Sequence, residues 1–235
     1  MARKTKSRSA NSDPDPSASE PADGTFTDAA ELDHRIVEET LALAAEVGWE
    51  GVRLRLVAER LGVPLNAVAS RYRDLDAVAD AWLGRGVAAM LAPMPAGFAE
   101  RPAAERLEMV ILRFLDTLAP HRRVTAAMVG AKLRLGHPHH WAPLVFNLSR
   151  TVHWIREAAL LDARGMRRQI EEVSLTALLV AVFAVWSLDR SEGQRRTRSF
   201  LQRRLRRGSR CLARRPRRSW RPDAPDEAAR EPEPA

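Results

Sequence analysis

The apolar residues of this chain recur every three or four positions along most of its length, which is the spacing of one face of an α-helix. In the first such run, Ile36, Leu43 and Val47 repeat at helical intervals and the pattern stops at Gly48. Glycine readily adopts the left-handed conformation that closes a helix, so we predict a first helix from Leu32 to Val47. No strand-like alternation of useful length occurs in the sequence, and the predicted fold class is therefore all-α.

The stretch from Val52 to Tyr72 is predicted to form two short helices joined by a tight turn. The turn falls at Gly62 and Pro64, because glycine can end one helix and proline, which lacks a backbone donor, suits the start of the next. The first of these helices carries an apolar stripe formed by Leu54, Val57, Ala58 and Leu61. In the second, Val68 and Tyr72 repeat at i and i+4 and are expected to face the core. The residues left facing outward, towards a partner, are Asn66, Ala69, Ser70 and Arg73.

A linking helix and a set of longer helices are predicted after this motif. Asp74 offers an N-cap for a fourth helix that continues to about Leu91, and Pro93, Pro95 and Gly97 then interrupt the chain. The later helical runs cover residues 107–118, 124–135, 144–160, 168–188 and 194–207. These runs predict about nine helices, arranged as a small N-terminal three-helix unit and a larger C-terminal bundle.

The run 168–188 is the most apolar of these helices. Its apolar part, VSLTALLVAVFAVWSL from Val173, falls short of the roughly 20 residues that a bilayer-spanning helix needs. We therefore expect a buried or interface helix and no transmembrane segment.

Composition and charge limit the functional classes. The content of 45% hydrophobic and 29% charged residues is ordinary for a soluble globular protein, and the single cysteine, Cys211, excludes an internal disulfide. No signal peptide is apparent, so a cytoplasmic location is expected. The net charge of +8 arises at the C-terminus, because thirteen of the 38 basic residues lie from Arg195 to Arg221. By contrast, Leu32 to Trp82 holds six Arg against nine Asp or Glu, so charge alone does not indicate DNA binding there.

The predicted organisation has four parts. They are a disordered arm over residues 1–28, a helix-turn-helix domain over 29–82, a helical ligand-binding and dimerisation domain over 83–207, and a disordered tail rich in Arg and Pro over 208–235.

Catalytic and metal-binding signals are weak. The sequence has no Gly-rich phosphate loop, no Ser elbow and no HExxH motif, so no catalytic residue, no cofactor and no enzymatic activity is predicted. The histidines His137, His139 and His140 lie in a proline-containing loop without a carboxylate or thiolate at ligand spacing, so we expect no metal site.

The N-terminal motif resembles that of the tetracycline-repressor (TetR) family of transcription regulators. That family has a helix, a glycine-aromatic turn, a helix, a Gly-Val turn and a recognition helix, and the matching parts are Ile36 to Val47, Gly48-Trp49, Arg53 to Leu61, Gly62-Val63 and Pro64 to Tyr72. The DLDAV segment from Asp74 also matches the family's linking helix. The family often has Lys and Tyr in the recognition helix where this chain has Leu65 and Ala69.

The C-terminal half, from about Leu107 to Arg207, also resembles the lipid-binding coenzyme Q biosynthesis family, which shares the TetR fold. The matching segments are RFLDTLAPHRR, TVHWIREAAL and the apolar helix ending in WSLDRSEG. This resemblance implies an alternative function: a lipid-binding accessory protein of ubiquinone biosynthesis that does not bind DNA. A third alternative is a nonspecific basic binder acting through the C-terminal arginines.

The leading hypothesis is a TetR-like regulator that binds double-stranded operator DNA as a homodimer, joined through the helices 168–188 and 194–207. The resemblance and the outward positions give the expected operator contacts, which are Arg53, Asn66, Ala69, Ser70, Arg71, Tyr72 and Arg73. Aromatic and sulfur side chains of the larger domain suit a small apolar or lipid ligand. The expected lining residues are Phe114, Met128, Trp154 and Phe183.

Overall fold

The computed structural model describes residues 23–133 and 141–213, and every regular element within these two ranges is helical. The all-α prediction is confirmed. Nine α-helices occur in the described ranges: α1 Asp23–Val47, α2 Leu54–Leu61, α3 Leu65–Arg71, α4 Leu75–Leu91, α5 Ala103–Leu118, α6 Arg122–Lys132, α7 Trp141–Ala158, α8 Gly165–Leu188 and α9 Arg195–Ala213.

Two helix ends differ most from the sequence pattern. Helix α1 begins at Asp23, so residues 23–28 of the expected arm are helical, because Ala29, Ala30 and Glu31 are strong helix formers that extend the helix before Leu32. Helix α9 continues through Gly208 to Ala213, because one glycine costs only about 1 kcal/mol among good helix formers. The remaining parts of the expected arm and tail, 1–22 and 214–235, lie outside the described residues, as does the histidine loop.

The chain divides into two compact units, Met1–Trp82 and Leu83–Ala235. In the N-terminal unit, α1 packs against α2, and α2 packs against α3. Ile36, Val57 and Val68 are fully buried at the centre of these contacts, and Trp49, in the 3-10 turn after α1, is only 7% exposed. These apolar residues form one small core that fixes the positions of the three helices.

In the C-terminal unit, α5 packs against α7 and α9, and α8 packs against α6, α7 and α9. Helix α5 supplies the densest set of buried residues, which are Leu107, Val110, Ile111, Leu112, Phe114, Leu115 and Leu118. Gly86 of α4 lies against this helix so closely that a Cβ atom at Gly86 would come within 2.8 Å of a ring carbon of Phe114. Trp186 of α8 and Leu201 of α9 are fully buried.

Arg156 and Asp189 are the two most deeply buried charged side chains of the described part of the C-terminal unit. Arg156 of α7 is 2% exposed; its guanidinium lies 3.3 Å from Glu172 and 3.7 Å from Glu171, both on α8, and donates to the carbonyl of Ala163 at 3.2 Å. Asp189, which follows α8, is 1% exposed. Buried charges are costly without partners, and these two connect α7 to α8 and α8 to α9.

Helix α8 spans 24 residues and is apolar over most of them. By length and composition, it is the one helix in the described ranges that is able to cross a membrane, so length alone does not exclude a span. A single such helix is weak evidence for a span, because apolar helices of soluble proteins meet the same criteria. Only 22% of its most apolar part is buried within the single chain.

Candidate functional site

The turn between α2 and α3 has the geometry of a helix-turn-helix. Gly62 ends α2 in the left-handed conformation, at φ 66° and ψ 27°, and Val63 donates its backbone N–H to the carbonyl of Ala58 at 3.0 Å. Pro64, with φ −67°, then precedes the first residue of α3, Leu65. The predicted turn residues are therefore confirmed, and each acts through the backbone property that predicted it.

Helix α3 presents an uncharged face to solvent along most of its length. Val68 is fully buried, while Asn66, Ala69 and Ser70 are exposed and Leu65 is 50% exposed. The Ser70 hydroxyl donates to the carbonyl of Ala67 at 2.9 Å, which leaves its oxygen free to accept. The exposed face thus carries one amide, one hydroxyl and two apolar side chains.

Arg71, at the end of α3, is held by α1. Its Nε and Nη2 atoms each donate to one carboxylate oxygen of Asp33 at 2.6 Å, and Nη2 also donates to the carbonyl of Ala29 at 3.0 Å. The hydrogen bonds from Arg71 to Asp33 raise the pKa of Arg71 above its ordinary value. The half-buried Tyr72 donates its hydroxyl to the Asp33 carbonyl at 3.4 Å. Both side chains therefore fix the orientation of α3 relative to α1.

The other two predicted cations lie at the borders of the motif. Arg53, which precedes α2, donates Nη1 to the carbonyls of Glu50 and Val52 at 2.6 and 2.8 Å. The side chain of Arg73 is 81% exposed and lies 3.1 Å from the carboxylate of Asp74. A surface pair of this kind exchanges readily with water, so Arg73 is accessible to a partner.

Sequence reasoning missed the acidic partners that organise this unit. Asp33 binds Arg71, and Arg60 of α2 binds Glu46 and Glu39 of α1 at 2.6 and 3.3 Å. These partners are far apart along the chain, so no helical spacing signals them. They account for part of the acidic excess found from Leu32 to Trp82.

The four residues predicted to line a ligand site lie on four helices of the C-terminal unit. Phe114 and Met128 are buried, at 6% and 1% exposure, whereas Trp154 is 39% exposed. Phe183 is half-buried, with its ring centroid 5.4 Å from that of Trp186. Their role in ligand binding stays a prediction.

A cavity of about 440 Å³ lies between α7 and α8, and none of these four residues lines it. Its lining mixes apolar and charged side chains, which are Phe146, Ser149, Arg150, Val152, His153, Arg168, Glu172 and Thr176. The hydrogen bond from Arg168 lowers the pKa of Glu172, so this carboxylate is charged at neutral pH. Within residues 23–133 and 141–213, no group of three His, Cys, Asp or Glu side chains is placed to hold a metal ion.

The fold and the motif match a solved structure. The crystal structure of the TetR transcriptional regulator from Nitrosomonas europaea ATCC 19718 is 38% identical to this chain, with a TM-score of 0.68, and the match covers 76% of this chain and 98% of that one. No family model and no curated protein matches the chain. Identity at this level over nearly the whole of the solved chain, together with the helix-turn-helix geometry, shows that this chain belongs to the TetR family of transcriptional regulators.

Proposed function

We propose that this TetR-family protein binds operator DNA as a homodimer and that a ligand in the C-terminal unit alters its affinity for the operator. The observation that carries the proposal is the exposed face of α3, in a helix-turn-helix whose chain is 38% identical to a TetR transcriptional regulator. A helix of this size and exposure fits the major groove of B-DNA.

The proposed contacts differ in what they contribute. Asn66 and Ser70 can hydrogen-bond base edges, and the methyl group of Ala69 suits the methyl group of thymine. Arg53 and Arg73 suit phosphates, which fix position without reading sequence. The remaining two of the seven proposed contacts, Arg71 and Tyr72, orient α3 through Asp33 and border the same surface.

Homodimerisation is supported by an exposed apolar stripe on α8. The stripe residues repeat at intervals of three and four, which places them on one side of the helix: Met166, Ile170, Val173, Ala177, Val180, Ala184 and Leu188. Val173 and Leu188 are 71% and 79% exposed in the single chain, whereas Leu179, Val182 and Trp186 face the core on the opposite side. A continuous apolar stripe at this spacing suits packing against the same helix of a second copy. The neighbouring α9 is expected to complete the interface.

The ligand is expected to be apolar or lipid-like and to contact Phe114, Met128, Trp154 and Phe183. Binding would act by favouring one spacing of the two recognition helices over another. Bound isoprenoid lipid in the purified protein, with no genomic fragment retained, would instead favour the lipid-binding accessory function.

The DNA proposal is tested by selecting genomic fragments with the full chain at physiological salt and measuring affinity for the enriched site. Asn66→Ala should lower affinity for that site more than for unrelated DNA, because it removes base recognition. Arg73→Ala should lower affinity for both and reduce the salt dependence. Arg164→Ala, which removes an exposed charge from the other unit, is the control. If Asn66→Ala and Arg73→Ala both bind as Arg164→Ala does, the proposed contact face is wrong.

The dimer proposal is tested with two lysine variants of α8, compared by sedimentation. Val173→Lys places a charge in the stripe and should produce monomers, because it would bury an unpaired charge between the two copies. Ser174→Lys places the same charge on the next residue, about 100° around the helix, and should remain dimeric. Both residues are exposed in the single chain, so neither variant disturbs its core. A dimer of unchanged stability in Val173→Lys would refute the interface.

A further inference from the structure

A second cavity of about 730 Å³ opens beside the C-terminal end of α8, and its lining is dominated by arginine. We call it the arginine cavity. Its lining residues come from the start of α6, the end of α8, the loop that follows α8 and the start of α9: Arg122, Arg123, Ser187, Leu188, Arg190 and Arg196. No carboxylate is among them. The cavity therefore gathers four positive charges with only a hydroxyl and an apolar side chain between them.

The four guanidinium groups have no acidic partner among the described residues. Elsewhere in the chain, exposed arginines pair with carboxylates, as Arg198 does with Asp116 at 2.8 Å and Arg168 with Glu172 at 2.8 Å. The Nε atom of Arg122 is shielded from solvent and has no hydrogen-bond acceptor in the described structure, so it does not face the opening, and the charge of this side chain is not offset by a carboxylate within the described ranges.

Helix ends increase the positive potential at the cavity. Arg122 and Arg123 are the first two residues of α6, and Arg196 is the second residue of α9. A helix N-terminus carries a partial positive charge of about half an elementary charge, so cations there are unfavourable unless an anion is present. The C-terminal end of α8 contributes a partial charge of opposite sign, which is small compared with four guanidinium charges.

The nearest acidic residues in the sequence do not fill this role. Both carboxylate oxygens of Asp189 accept hydrogen bonds from Ser191 and Thr197. Glu192 is 92% exposed and pairs with Arg195. The two acids flanking the loop between α8 and α9 are thus engaged with other groups, and neither supplies an acceptor to the arginine cavity.

We propose that the arginine cavity binds a small ligand that carries at least two oxyanion groups, either phosphates or carboxylates. The guanidinium fork presents paired donors that match the oxygens of these groups, and such charge-assisted hydrogen bonds are the strong ones in proteins. Four cations around one opening need more than one negative charge for neutralisation. Its lining residues include none from α3 and none of the four residues expected to contact an apolar ligand.

The proposal is tested by isothermal titration calorimetry on the full chain, with pyrophosphate, citrate and inorganic phosphate as probes. The two multivalent probes should bind saturably and more tightly than phosphate. Comparing the affinities of pyrophosphate and citrate distinguishes a phosphate ligand from a carboxylate ligand. Arg196→Ala and Arg122→Met should each weaken binding by about tenfold or more. Arg203→Ala, which removes an exposed charge from α9 outside the cavity, should leave affinity unchanged.

Thermal denaturation of each variant establishes that it is folded before titration. The proposal is overturned if neither multivalent probe binds saturably. It is also overturned if Arg196→Ala and Arg203→Ala lose affinity equally, because binding would then depend on overall charge. Binding of DNA fragments alone, with no response to pyrophosphate or citrate, would show a nucleic-acid surface and would equally refute a small-ligand site.

Discussion

Replacing Asp189 with asparagine should destabilise the C-terminal unit strongly. The carboxylate of Asp189 accepts four hydrogen bonds, from the backbone N–H and the hydroxyl of both Ser191 and Thr197, over distances of 2.6 to 2.9 Å. Burial alone would raise its pKa, but these hydrogen bonds outweigh burial and hold the pKa well below its ordinary value. Asp189→Asn keeps the volume while it removes the charge and turns one acceptor into a donor that faces other donors.

The magnitude follows from the burial of the donors. Thr197 is fully buried, so its N–H and hydroxyl have no water to replace the lost acceptor. Each unsatisfied buried donor costs about 1–3 kcal/mol, which gives about 2–6 kcal/mol for the two together when the amide NH2 group faces Thr197. Ser191 is only half-buried, and water can replace part of what its donors lose. The expected loss is a large fraction of the roughly 5–15 kcal/mol by which folded domains are stable.

The assay is urea unfolding followed by circular dichroism, with Asp162→Asn as the control because Asp162 is exposed and has no partner among the described residues. The folded pKa of Asp189 lies below the unfolded value of about 3.9, so its stabilisation is fully present above that value and is lost as pH falls towards the folded pKa. The difference between wild type and Asp189→Asn should therefore be full at pH 7 and shrink below about pH 4. Equal stability of Asp189→Asn and Asp162→Asn at pH 7 would refute this reasoning.

Three further substitutions test the packing, each by denaturant unfolding. Gly62→Ala should destabilise the N-terminal unit by about 1 kcal/mol, because alanine disfavours the positive φ of 66° found there; unchanged stability would contradict the role of the turn. Gly86→Ala should destabilise the C-terminal unit, because the added Cβ atom would lie too close to the ring of Phe114. A Cβ atom at Gly84 would meet no other atom, so Gly84→Ala should stabilise the unit by up to about 1 kcal/mol. A change of the same sign in both variants would count against this packing. Arg156→Ala should cost about 3 kcal/mol, the lower end of the range for a broken buried ion pair, because its carboxylate partners are partly exposed; a loss below about 0.5 kcal/mol would show that the pair is not structural.

The features that sequence reasoning predicted well depend on local chemistry. The turn at Gly62 and Pro64 and the apolar stripe of α2 follow from backbone preference and helical spacing. Asp74 also acts as the predicted N-cap of α4, since its carboxylate accepts the N–H of Ala77 at 2.7 Å. Each of these signals lies within a few residues of the structure that it predicts.

The features that were missed depend on contacts between distant parts of the chain. Asp33 and Arg71 are joined only because α1 and α3 pack together, and Arg156 reads in sequence as an ordinary surface arginine. The arginine cavity has the same origin, since its four cations come from three separate segments. The spacing of residues along one helix carries no information about contacts between distant segments.

The pairing of Arg71 with Asp33 separates two roles that the short helix α3 has to fulfil. The side chains that set its orientation, Arg71 and Tyr72, contact α1, while Asn66 and Ser70 are exposed to solvent. Exchanges at the exposed positions therefore leave the angle of the helix unchanged. Under the proposed DNA contacts, the same scaffold can acquire a new DNA preference through two or three surface substitutions, and its stability places little restriction on which residues are chosen.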